Sequence, residues 1–169
     1  MKKAKLSKII SACLFIVMLF CSCEESGVGT YELVCEVRDT YLSNCRVSVY
    51  TTSASEGEWG YFDPALVGAM LGDGGEMPSE ILECAEISFL CSDAVSICEV
   101  WVARCHTATG ARELYEIFEK RKKLLSMLEY ELDSDREAAD GAVAFRDGKK
   151  VYFAACENSD EIISHLCSV

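Results

Sequence analysis

The sequence is short of the residues that enzymes, nucleic-acid readers and membrane spans rely on. Histidine occurs only as His106 and His165, so a Cys/His nucleophile pair would need a distant cysteine to meet one of two rings. Cys105 and His106 are adjacent, and in a strand their side chains would point to opposite faces. No glycine-rich phosphate loop opens a helix and no G-x-S-x-G elbow is present. The carboxylate pairs Glu24/Glu25 and Glu113/Glu116 read as tether and solvated helix face, so no catalytic residue and no cofactor is assigned. Basic residues are scarce, 16 against 28 acidic ones. A chain with a formal charge of −12 offers no basic face for phosphates, which excludes nucleic acid as a partner. Proline occurs twice and half of the residues are hydrophobic, enough to bury the core of one domain. No apolar run reaches the roughly 20 residues of a membrane span.

What the sequence has at its start is an anchor signal. Lys2, Lys3, Lys5 and Lys8 form a positive segment, and Ile9 to Cys21 is an apolar run of signal-peptide length. Phe20-Cys21-Ser22-Cys23 follows and resembles the lipobox of bacterial lipoproteins, in which a small residue precedes the acylated cysteine. Ser22 and Cys23 match that pattern; Phe20 and Cys21 depart from its usual Leu and Ala or Ser. The expectation is a signal peptide over residues 1–22, lipid on Cys23, a tether over 23–29 and a single domain over 30–169. Loss of the four signal lysines takes the net charge from −12 to about −16. A domain so acidic is not drawn to anionic lipid, so attachment to the cell membrane, on its extracytoplasmic face, rests on the acyl chains.

The longest segment with one period is Gly110 to Leu132. Leu114, Ile117, Phe118, Arg121, Leu124, Leu125, Leu128 and Leu132 recur as one helical face, and Glu116/Lys120 and Glu119/Lys123 are spaced to pair on the other. Arg121 lies within the apolar stripe. Either its stem lies along a sheet with the guanidinium at the edge, or it makes a buried pair or an anion or partner contact. Thr30 to Tyr41 predicts a first helix. Asp63 as cap, Pro64 at the first position and Gly72 past the end delimit a second. Val47 to Thr52 reads as a strand or an extended loop edge, and Ile81 to Ala85 as a turn or helical stub.

Two hairpins are expected, Ile87–Cys91 with Ile97–Cys105, and Gly141–Phe145 with Lys149–Cys156. For the second, a three-residue loop with Gly148 at its bulge position pairs Val143 with Val151 and gathers Val143, Phe145, Val151 and Phe153 on one face. Asn158 and Glu161 read as a capping box before a last helix, Ser159 to Leu166. The expected class is α+β: a small antiparallel sheet of two hairpins on one long amphipathic helix, with short additional helices.

Eight cysteines lie beyond Cys23, none in a C-x-x-C pair, which removes the main support for a zinc ribbon or a thioredoxin-like site. No metal site is assigned. Cys84, Cys91, Cys98 and Cys105 recur every seventh residue. One antiparallel register would set Cys84 opposite Cys105 and Cys91 opposite Cys98, with the two pairs on opposite faces of the sheet. Disulfides are allowed outside the cytoplasm, and packed free thiols are the competing arrangement.

Ala85-Glu86-Ile87, Glu119-Lys120-Arg121, Gly148 with Val151-Tyr152-Phe153, and Ser159-Asp160, in this order behind a lipoprotein-type signal, resemble a family of Gram-positive lipoproteins, domain of unknown function 4358. The resemblance covers roughly Tyr61 to Leu166 and implies an envelope location without an established activity. The functional expectation is a lipid-anchored, non-catalytic interaction or accessory module with an envelope protein partner. The alternative is an extracytoplasmic thiol/disulfide or metal-binding protein.

Overall fold

The computed structural model describes residues 27–93 and 96–169. The signal segment, Cys23 and most of the tether lie outside that range. In chain order the elements are α1 (Thr30–Tyr41), β1 (Val47–Thr51), α2 (Pro64–Leu71), β2 (Cys84–Ser92), β3 (Glu99–Cys105), α3 (Ala108–Ser126), α4 (Asp133–Asp140), β4 (Val143–Asp147), β5 (Lys150–Ala155) and α5 (Ser159–Ser168). A short 3₁₀ turn, Ser79–Glu83, leads into β2. The strands form one antiparallel sheet in the order β1-β2-β3-β5-β4. The class is α+β, as the sequence predicts.

The expected two-layer arrangement is extended by a third layer. The middle strands are apolar at consecutive positions, as in Phe89 and Leu90 or Val100, Trp101 and Val102, all buried. Strands of that kind need a cover on both faces. On one face Ile87, Phe89, Trp101, Val151 and Phe153 pack against Leu114, Ile117 and Phe118 of α3. Phe89 stacks between Tyr50 and Trp101, with ring centroids 4.8 and 4.0 Å away. On the other face Leu90, Val100, Val102 and Tyr152 meet Leu33, Val34 and Val37 of α1 and Ile162 and Leu166 of α5. Three buried hydroxyls are satisfied in a chain, Thr30 Oγ1 to Ser88 Oγ at 2.8 Å and Ser88 Oγ to Thr51 Oγ1 at 2.9 Å.

Four local expectations are corrected. The long helix stops at Ser126 instead of continuing to Leu132. Leu128 and Leu132, beyond that end, are accordingly 47% and 57% exposed, and an unpredicted helix, α4, follows. The second hairpin pairs Asp147 with Lys150 and Val143 with Ala154, so its loop is the two residues Gly148 and Lys149. Gly148 has φ +56° and Lys149 is not left-handed, the pattern of a turn with glycine at its first central position. Val143 and Phe145 therefore share a face with Tyr152, not with Val151 and Phe153; the Phe145 and Tyr152 rings lie 6.5 Å apart. Asn158 makes no side-chain cap bond. Ser159 Oγ instead accepts from Cys156 N at 3.0 Å and donates to Cys156 O at 2.9 Å. Last, neither Glu116/Lys120 nor Glu119/Lys123 is among the ion pairs of the described residues.

Candidate functional site

A cleft of about 560 Å³ opens between α3 and the segment from Ala69 to Glu80. Local chemistry builds both walls. Asp63 Oδ1 accepts from Ala65 N at 2.9 Å, so α2 starts where the sequence predicts. The chain after α2 then folds back tightly on it. A Cβ at Gly68 would overlap the Gly75 carbonyl oxygen, and one at Gly72 would overlap that of Glu76, so glycine at both positions permits the outer wall. Opposite, Thr107 Oγ1 accepts from Gly110 N at 3.0 Å and caps α3. The buried stripe of α3 fixes its rotation and turns Lys120, Lys123, Leu124 and Met127 toward the cleft.

The cleft is amphipathic. Met70, Met77 and Met127 line it with Leu71, Ile117 and Leu124, and methionine gives an adaptable apolar surface. Lys120 and Lys123 stand on the helix wall, Glu76 and Glu80 on the other. The Arg and Lys ion pairs of the described residues are Arg38–Asp39, Arg104–Glu86 and Arg121–Glu99, so the two lysine charges are unspent.

Arg121, the candidate anion or partner contact, is held from behind. Its Nε donates to Glu99 Oε1 at 3.0 Å, and its side chain is 16% exposed against 4% for Glu99. Trp101 Nε1 donates to the other carboxylate oxygen at 3.2 Å. Of the arrangements open to Arg121, the structure has the buried pair: its guanidinium serves a protein carboxylate while its stem lines the cleft. Burial pushes the Glu99 carboxyl above its ordinary value, opposed by the charge of Arg121 and by the Trp101 and Arg121 hydrogen bonds.

The cysteines gather in two places. Cys84 stands opposite Cys105, with Sγ atoms 3.6 Å apart, and both side chains face α3. Beyond them the register shifts by one, so Glu86 faces Arg104 and Cys91 faces Glu99. The expected opposition of Cys91 and Cys98 therefore does not form: Ala85 is an extra residue on β2, and everything after it is displaced. Cys91 packs on the α3 side, Cys98 on the α1 side. Cys98 instead has Cys156 and Cys45 as neighbours, and Cys156 together with burial holds the Cys98 thiol up. The thiols are free throughout this region. Hydrogen bonding to Cys105 and burial hold the Cys84 thiol up, and the same bond holds that of Cys105 down. Burial raises Cys91 to about 11.

His106 is exposed beside buried Cys105, and His165 Nε2 lies 3.2 Å from Glu36 Oε1. Among the described residues no group of three or more His, Cys, Asp or Glu side chains is arranged to hold a metal ion. No helix among them is long and apolar enough to cross a membrane. No family model, curated protein or solved structure matches the chain. Sequence reasoning missed Glu99 and the cleft. Glu99 had a signal, as a single carboxylate entering the apolar run Val100-Trp101-Val102-Ala103. The cleft had none, because its walls come from segments about fifty residues apart.

Proposed function

We propose that the chain is a lipid-anchored, non-catalytic binding module on the outer face of the cell membrane, and that the cleft beside α3 is where it engages an envelope partner. The observation that carries the binding role is the pairing of a methionine-lined floor with two lysines that have no carboxylate partner among the described residues. Such a site suits an amphipathic protein segment whose apolar side chains meet the methionines and whose acidic groups meet Lys120 and Lys123. The anchor is supported by the positive segment, the apolar run and Ser22-Cys23, in keeping with the lipoprotein family that the chain resembles. The alternative of a thiol/disulfide protein draws its support from the Cys84–Cys105 contact.

One experiment tests both halves. Cells carrying the full chain are grown with photo-activatable methionine and an alkyne-tagged fatty acid, then irradiated. The expected wild-type product carries acyl label and a protein adduct on Met77 or Met127. Cys23→Ala should lose the label and the membrane location. Lys120→Glu with Lys123→Glu should keep the label and lose the adduct. Acylation that survives Cys23→Ala overturns the anchor, and an adduct indifferent to the lysines overturns the cleft.

A further inference from the structure

We infer that Cys84 and Cys105 form a dithiol site that closes into a disulfide, clasping the open end of the β2–β3 hairpin beneath the start of α3. The contact is between Sγ atoms 3.6 Å apart on residues that are direct register partners. The backbone shows which kind of partners they are. Cys105 sends its N–H away from β2, to Lys149 O at 2.9 Å, and the next residue, His106, donates to Glu83 O at 2.9 Å. The pair is therefore of the non-hydrogen-bonded kind, where opposed Cα atoms lie about 4.5 Å apart and side chains come closest. That separation is within the range of about 4.4–6.8 Å that a disulfide accepts. The sulfurs need to approach by a further ~1.5 Å to reach bonding distance. Cys91 has no such partner, since it faces a glutamate, and Cys98 and Cys156 lie on the opposite face of the sheet, away from α3.

Access sets the order of events. Cys84 is half-buried and Cys105 is buried, so the outside reagent meets Cys84. A small-molecule disulfide serves as oxidant. Cys105, the readier of the two to ionise, takes the Cys84 proton across their contact, and the Cys84 thiolate attacks one sulfur of the oxidant; a mixed disulfide forms and the first oxidant thiolate leaves. The Cys105 sulfur, deprotonated, then attacks Cys84 Sγ, breaks the mixed disulfide and releases the second thiolate. Two protein thiols have given up two electrons and two protons, and the oxidant has become two thiols. The inference stands whether or not the cleft binds a partner, because it uses no residue of the cleft.

The test is peptide mapping of the folded full chain, equilibrated with oxidised and reduced glutathione in varied ratio, quenched in acid and alkylated before digestion without reductant. The expected result is a Cys84–Cys105 cross-linked peptide that appears as the ratio turns oxidising and disappears on reduction. Thermal unfolding of the closed form should be raised by about 5–10 °C, since the bridge closes a loop of some twenty residues. In Cys84→Ser, Cys105 should remain alkylatable and the redox shift in midpoint should vanish. Cys84 and Cys105 both recovered as alkylated or glutathionylated residues at every ratio overturns the inference, as does either one bridged to another cysteine.

Discussion

Arg121→Met removes the charge that opposes Glu99 while keeping an apolar stem of similar length. Glu99 is 3% exposed and fixed on the sheet, so the carboxylate cannot turn to water. Taking one partner from a buried pair costs about 3–5 kcal/mol when the other stays ionised, a large share of the roughly 5–15 kcal/mol that holds a domain folded. Burial already raises the carboxyl in the wild type. For such a group the linked stability is fully present below the unfolded value, about 4.3, and is lost as pH rises through the folded value. Loss of Arg121 moves the folded value further up, so the variant should nearly match the wild type at about pH 4 and fall furthest behind at about pH 8. Urea unfolding across that range reads the effect as a midpoint lowered by roughly 1.5–3 M at the alkaline end. Adding Glu99→Gln should restore most of the loss, because the amide oxygen still accepts from Trp101 Nε1. A cost below about 1 kcal/mol, or one that does not change with pH, would refute the reasoning.

Two further substitutions probe the architecture. Leu125→Asp places an unpaired charge at a position 2% exposed and should abolish cooperative thermal unfolding, whereas Leu128→Asp, 47% exposed, should shift the midpoint by no more than a degree or two; equal effects would reject the helix end at Ser126. Gly72→Ala forces a methyl group onto the Glu76 carbonyl and should cost about 1–3 kcal/mol in denaturant unfolding, with amide exchange quickening around Ala69–Glu76 before anywhere else.

How far the chain could be read ahead of the structure depended on whether the deciding signal was local. Asp63, Pro64 and Gly72 carry their instructions within one helix length, and α2 forms between them. Thr30–Tyr41 is similar, with Leu33, Val34 and Val37 on one buried face. The end of α3 was not legible: Leu128 and Leu132 continue the helical period past Ser126, and neither glycine nor proline interrupts it. What ends the helix is tertiary, since the chain turns there into α4, which packs on α3 and whose Asp135 Oδ1 accepts from Ile97 N at 3.0 Å. Helix α4, mostly charged, buries only Asp135 and two alanines, too little apolar pattern to announce itself. The need for a second cover lies in the unbroken apolar runs of β3 and β5, whereas alternation within a hairpin specifies one buried face only. For the candidate site, the charges and methionines were visible as composition; their assembly into a cleft depends on the backbone fold after Gly72.

The extra residue Ala85 has a mechanical meaning as well as a topological one. It lies between the Cys84–Cys105 clasp and the ladder that carries Phe89 against Trp101. A bulge is the compliant stretch of a strand, free of the pairing that makes its neighbours stiff. It therefore acts as an expansion joint: the ångström or so of travel needed to draw two sulfurs together is taken up in one residue, and the stacked rings four positions further on keep their spacing. The clasp can open and shut at the rim while the core that defines the fold does not feel it.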